Sequence, residues 1–301
     1  MTLACLASVY AETRQPFELI VVDNASTDGS AEAIAAAFPT ADFPNLTLVA
    51  ETTNHGFGPA HEVALRHVTT DWLLLLNPDT VILDGALDEL VAFSAARPGA
   101  GIWGGRTLYA DGSLNPTSVF RQMTVWSVIC RILGLNVVFA RSDLFNSEYF
   151  GDWPRDSERE VDIVTGCLFL IHRDLWDRLG GFDPVFVMYG EEVDMCLRAI
   201  ALGARPAMTP KATIIHHGGA SQPVRADRMV RLMRAKIELI RRHFRPATRA
   251  IGMSLFGLWP LSRALVWRLL ALLRKNRAAE NAAIWGEVWA RRAEWRRGFD
   301  S

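Results

Sequence analysis

Three short apolar runs, each closing on a polar turn, constrain this chain more than any other feature. Leu19-Ile20-Val21-Val22 ends at Asp23, Leu46-Thr47-Leu48-Val49 comes next, and Trp72-Leu73-Leu74-Leu75-Leu76 ends at Asn77-Pro78-Asp79. Residues 31–38, 59–68 and 85–96 between and after them carry helix-like patterns behind turn and cap chemistry such as Ser26-Thr27-Asp28-Gly29-Ser30. Strands apolar on both faces suit a sheet covered on both sides. The β-α-β-α order therefore predicts an α/β fold with a mostly parallel sheet flanked by helices. Ligands of such sheets bind beyond the carboxyl ends of the strands. Asp23 and Asp79 stand at those ends.

The pattern is less regular over residues 104–160 and returns with an apolar strand at 161–171, helices at 173–179 and 191–202, and a late strand at 213–215 before His216-His217. After residue 221 the character changes. Val230, Met233, Ile237 and Ile240 recur at helical spacing among arginines, residues 251–273 are strongly apolar, and Trp285, Trp289 and Trp295 stand among Arg291, Arg292, Arg296 and Arg297. The expected division is a catalytic domain over 1–222 and a basic helical appendage over 223–301.

Charge sharpens that division. The net charge of −1 hides 18 Lys and Arg against 6 Asp and Glu in residues 221–301, and 14 against 27 in residues 1–220. A basic tail on an acidic body suits an anionic surface. Nucleic acid is a poor partner for it, because no recognition motif accompanies the charge. The alternative is helices packed on the catalytic domain or on a second copy of the chain, making an oligomer through the tail. Two arginines within 251–273 argue against a full membrane span there. Cys5, Cys130, Cys167 and Cys196 show no disulfide or zinc spacing, and no basic-then-apolar leader opens the chain, so a reducing, cytoplasmic setting is expected.

Four constellations carry chemistry, and each has a bland reading beside it. Asp23-Asn24-Ala25-Ser26 can bind base and ribose, or merely cap the next helix. Asn77-Pro78-Asp79 can hold a divalent cation on a diphosphate, or merely end a strand. Glu191, Glu192 and Asp194 can supply a general base, or can settle on a helix dipole, with Asp194 pairing to Arg198. His216-His217-Gly218-Gly219 can complete a metal site with Asp79, or be a polar strand end.

Taken in order, the segments Cys5-Leu6-Ala7-Ser8, FELIVVDNASTDGS (17–30), NHGFGPA (54–60), LLLLNPDT (73–80), VTGCLFLIHRDLWDRLGGFDPVFVMYGEEVDMCLR (164–198) and IIHHGGAS (214–221) resemble the inverting glycosyltransferase family 2 of GT-A fold, nearest its rhamnosyltransferase-like branch. The resemblance implies roles. Asp23, Asn24 and Ser26 would contact the nucleoside, and Asn54, Gly56 and Asn77 would line the donor pocket. Asp79 and His216 would hold Mg²⁺ or Mn²⁺. Glu192, beside Glu191, would be the catalytic base, and Thr165-Gly166 part of the acceptor floor. The implied donor is dTDP-rhamnose or a UDP-sugar. The implied acceptor is a glycan or lipid-linked sugar of cell-surface polysaccharide synthesis, met at the inner face of the plasma membrane.

Three departures qualify this. Asn77 replaces the first acid of the family's Asp-x-Asp. His61-Glu62 stands where Asn-Asn is usual. Met1-Thr2 leads straight into a helix that the family precedes with a strand, so that strand is expected to be missing from the sheet. The competing function is a catalytically silent sugar-nucleotide-binding scaffold of a polysaccharide assembly complex. A sugar nucleotidyltransferase would need a glycine-rich phosphate loop, and none is visible.

Overall fold

A computed structural model describes residues 1–218, 226–273 and 277–299. Gly219 and the boundary expected at 222–223 lie outside the described residues. In chain order the elements are α1 (Thr2–Glu12), β1 (Leu19–Asp23), α2 (Ser30–Ala37), β2 (Leu46–Ala50), α3 (Phe57–Leu65), β3 (Trp72–Leu76), β4 (Thr80–Ile82) and α4 (Ala86–Ala96). Then come β5 (Ile102–Leu108), β6 (Val119–Phe120), α5 (Val125–Leu133) and α6 (Leu135–Val138). β7 (Arg159–Glu160), β8 (Ile163–Val164), β9 (Leu168–His172), α7 (Arg173–Leu179), α8 (Glu191–Ala201) and β10 (Ala207–His216) follow. α9 (Ala226–His243), α10 (Pro246–Leu272) and α11 (Ala278–Ala290) lie towards the C-terminus.

The chain forms two compact units. The first holds Met1–Val119 and Arg155–Gly218, and the second holds Phe120–Pro154 with Gly219–Ser301. The excursion Phe120–Pro154, read from sequence as an irregular part of the catalytic body, joins the C-terminal helices instead.

The first unit has the expected α/β layering. Its larger sheet runs β3-β9-β5-β10-β4, with β7 on β10, while β1 and β2 form a separate parallel pair. β5 and β10 are also parallel, and β9 lies antiparallel to both β3 and β5. The apolar stretch at 161–171 divides into β8 and β9 because the Thr165 amide and hydroxyl both bond to the Ser118 carbonyl, which interrupts the ladder. Gly105 of β5 lies so close to β10 that a Cβ there would stand 2.0 Å from the Ala212 carbonyl oxygen. The sheet closes only around a residue without a side chain.

Helix α1 serves both sheets. Val9 enters the core that α4 makes with the large sheet through Leu90, Phe93, Trp103, Leu168 and Ile214. Leu6 turns to Ile34, Phe38 and Leu46 beneath α2 and β2. Burying each such side chain stabilises by roughly 1.5–3 kcal/mol. Ser8 Oγ accepts from the Ile82 amide at 3.0 Å and fixes α1 on β4. Among the described residues, β1 pairs only with β2 and β3 only with β9, so each keeps one backbone edge without a ladder partner.

In the second unit α9 buries the face read from its periodicity. Met233, Ile237 and Ile240 pack with Val128, Phe256 and Val288. Of the tail's tryptophans, Trp295 belongs to this core, and Trp285 and Trp289 pack against it partly buried. Trp295 is fully buried and donates to the Val288 carbonyl at 2.9 Å, while Trp285 meets Trp259 edge-on. Buried Glu148 is held by Arg131 at 2.6 Å and Lys236 at 3.5 Å. Buried Glu238 takes Arg241, Arg242 and the Phe299 amide. All four cysteines are free and buried.

Candidate active site

Every candidate donor, metal, acceptor and catalytic-base residue read from the sequence falls in the first unit. Most of them gather in two clusters.

The first cluster lies beyond β1. The apolar strand delivers Asp23 to its carboxyl end, where Oδ1 accepts from the Ser26 amide at 3.0 Å. Asn24 then reaches across to the loop before α3. Its Nδ2 donates to the Gly56 carbonyl at 3.0 Å and the Asn54 Oδ1 at 3.3 Å, and its Oδ1 accepts from the His55 amide at 2.8 Å. Asn54 Oδ1 also takes the Gly56 amide at 2.9 Å. Gly56 has φ +83°, and a Cβ on it would meet the Val187 carbonyl at 3.1 Å. Left-handed backbone and close approach together require glycine here. The two asparagines thus bind two loops side by side, and Asp23 next to them is buried.

The second cluster gathers at the ends of β3 and β10. His216 Nε2 lies 3.1 Å from Asp79 Oδ1 and 3.3 Å from the Asn77 side-chain nitrogen. The His217 amide donates to the Asp79 carbonyl at 2.9 Å, and antiparallel pairing of His216 with Thr80 sets the register. The Thr80 hydroxyl donates to the Asn77 carbonyl at 2.7 Å and closes the Asn-Pro-Asp turn. The hydrogen bond from His216 holds the Asp79 carboxyl below its ordinary range. Burial opposes the charge on His216, but its hydrogen bonds to Asp79 and Cys167 outweigh that and lift the imidazole to about 10. Cys167 also lies 3.1 Å from the Thr165 hydroxyl. Nothing in the sequence marked Cys167, which sits at the head of an apolar strand.

The loop Val187–Gly190 packs on the first cluster. Its Val187 carbonyl accepts from the Phe57 amide at 3.4 Å, and Tyr189 at φ +74° followed by Gly190 at φ +98° turns the chain sharply into α8. Glu191 at that helix start is 1% exposed, and its Oε1 has no hydrogen-bond partner among the described residues. Burial, with the neighbouring charge of Glu192, pushes its carboxyl up to about 8. Glu192 stays half-exposed. Asp194 does what helix spacing allowed: its carboxylate takes Arg198 at 2.6 Å, and that guanidinium also donates to the Leu179 and Gly181 carbonyls. Gly166 packs flat against the Phe57 ring, which ties the Thr165-Gly166 turn to α3.

No group of three or more His, Cys, Asp or Glu side chains arranged for a metal occurs among the described residues. Asp79 and His216 offer one oxygen and one nitrogen on a common point, with the Asn77 amide adjacent. A carboxylate oxygen, an amide beside it and an imidazole nitrogen that ligates once its proton is lost leave coordination positions for phosphate oxygens and water, a donor set that fits Mn²⁺, or Mg²⁺ held through the oxygens.

The glycosyl transferase family 2 sequence profile matches residues 1–177. The chain belongs to that family. It is a glycosyltransferase, as the ordered motifs implied. It is 27% identical over 223 residues to N-acetylglucosaminyl-diphospho-decaprenol L-rhamnosyltransferase of Mycobacterium tuberculosis, covering 70% of each chain. It is 31% identical over 226 residues to the O-antigen biosynthesis protein RfbC of Myxococcus xanthus, covering 73% of this chain and 16% of that one. Its fold is similar to that of the mannosyltransferase PcManGT from Pyrobaculum calidifontis, solved with GDP-Man and Mn²⁺, at TM-score 0.58 and 19% identity over 96% of this chain and 81% of that one. It is also similar to S. aureus TarS 1-349 in complex with UDP-GlcNAc, at TM-score 0.51 and 15% identity over 98% and 85%.

Proposed function

We propose that this glycosyltransferase moves rhamnose from dTDP-rhamnose, or a hexose from a UDP-sugar, to a lipid-linked saccharide by a single inverting displacement. The observation that carries this reading is the juxtaposition in one unit of the Asn24–Asn54–Gly56 network, the loop carrying Glu191 and Glu192, and the Asp79–His216 pair. The relatives' names support the sugar and the acceptor class.

Asp23, with Asn24 and Ser26 beside it, accepts hydrogen bonds from the nucleoside, and Asn54 and Gly56 wall the donor. Asp79 and His216, with Asn77, would hold Mg²⁺ or Mn²⁺. When bound, that cation supplies positive charge opposite the diphosphate. Thr165 and Gly166 support the acceptor. Glu192 takes the proton of the acceptor hydroxyl. The oxygen forms its bond to the anomeric carbon while the bond to the diphosphate oxygen breaks and the nucleoside diphosphate leaves with the electron pair. Burial keeps Glu191 protonated near neutral pH, so its neighbour Glu192 is the carboxylate available for that proton.

The test is transfer from dTDP-rhamnose and UDP-hexoses in the presence of Mn²⁺. Glu192→Gln is expected to lower kcat by at least about 100-fold while donor affinity is kept, since general-base loss typically costs 10²–10⁴. Two strand edges without ladder partners and Asn77 in place of an acid favour the silent-scaffold alternative. Donor binding without turnover in the wild-type chain decides for it.

A further inference from the structure

The second unit carries an apolar surface that its own core leaves uncovered. On α10, Ile251, Leu258, Leu265 and Leu272 recur along one helical face, and all are exposed, Leu272 by 80%. They span about 30 Å at the rise of an α-helix. The opposite face, with Phe256, Trp259 and Ala264, is buried in the unit's core. Arg263 donates to the Arg131 carbonyl at the end of α5, which brings α6 beside the middle of α10. There Val137 and Val138 are exposed as well, Val138 by 73%. Two segments far apart in sequence thus present aliphatic side chains from one compact unit.

The charges on these segments have one sign. Helix α10 contains no Asp or Glu in 27 residues. Arg245 stands at its start, Arg268 in its second half and Arg141 just beyond α6, all exposed. Asp143, just after α6, is paired with Arg121 at 2.6 Å, and Glu280 and Glu287 lie on the neighbouring α11.

We propose that this face is where the protein lies on an anionic lipid bilayer, with α10 and α6 in the interfacial plane. Aliphatic side chains enter the acyl boundary, and the arginines meet the headgroups. The sequence pointed to Trp285, Trp289 and Trp295 for this contact, but Trp295 belongs to the core and the other two rings pack against it. A membrane-crossing α10 does not fit either. Its buried half is committed to protein, and Arg263 and Pro260 lie mid-helix. A second copy seated through the same face by two-fold symmetry would set the arginines of one copy against those of the other. The proposal shares with the transferase reading a lipid-borne acceptor, but it is tested without one.

The experiment is co-sedimentation of the full chain with vesicles of phosphatidylcholine alone and of phosphatidylcholine mixed with phosphatidylglycerol. Binding to the mixed vesicles that weakens in high salt, and falls by about ten-fold or more in Val138→Glu/Leu272→Glu, is the expected result. The variant's melting temperature and its donor hydrolysis in free solution should match wild type, because both side chains are exposed and neither belongs to the unit that carries the catalytic clusters. No binding by wild type, or equal binding by the variant, overturns the proposal. So does a dimer in light scattering that the same double substitution dissociates. Donor hydrolysis by the wild type, measured without vesicles, reports separately on the transferase reading.

Discussion

Glu191 and Glu192 are adjacent in sequence and unlike in surroundings. Helix geometry sends Glu191 inward against α3 and leaves Glu192 at the rim. A carboxyl lifted from 4.5 to about 8 binds a proton in the native state that the unfolded chain releases. Native stability therefore falls as pH rises from about 4.5 through 8, and is level above that. Glu191→Gln removes the titration. It should be close to wild type at about pH 5 and more stable by a few kcal/mol at about pH 9, read from urea midpoints at both values. Parallel pH profiles for the two proteins would show that Glu191 is ionised in the fold after all. The acidic triplet itself was visible in the sequence. Which member is buried was not, because that depends on Gly58 and Phe186 approaching from other segments, and Gly58 is within contact of the Glu191 side chain. Asp194 shows the opposite case. Its partner at i+4 was readable from spacing alone.

At the scale of elements, strands and helices whose apolar period is unambiguous were legible within a few residues: β1, β2, β3, α4, α7 and α9 all lie where their patterns put them. The large sheet's pairing was not, since β9 reaches β3 and β5 across roughly 65 to 100 residues of chain. Gly105 is the point at which that pairing is most tightly held. Gly105→Ala should lower the melting temperature sharply. Overpacking of this kind typically costs about 1–3 kcal/mol and here meets a backbone carbonyl that cannot rotate aside. Calorimetry on the purified variant checks it, and an unchanged melting temperature would mean that β5 and β10 separate at little cost. The free edges of β1 and β3 belong to this scale too. Each is a row of amides and carbonyls open to a further extended segment.

The whole molecule is assembled from interleaved segments. No composition shift in the sequence marks residues 120–154 as different from their flanks, and the basic tail alone drew attention. Their assignment to the second unit comes from packing: Met123 and Val128 share a core with residues of α9, α10 and α11. A chain ended after Gly218 should therefore expose those side chains. It should bind a hydrophobic dye strongly and sediment as aggregate where the full chain stays monodisperse. A soluble, dye-silent truncation would contradict the division into units. The interleaving also has a consequence in time. During synthesis the first unit's N-terminal half and the excursion leave the ribosome well before α9 begins. The excursion must wait, with its apolar faces uncovered, until α9, α10 and α11 have been made. Translation rate and chaperone supply, rather than equilibrium stability, then set how much of this protein reaches its native form in a cell.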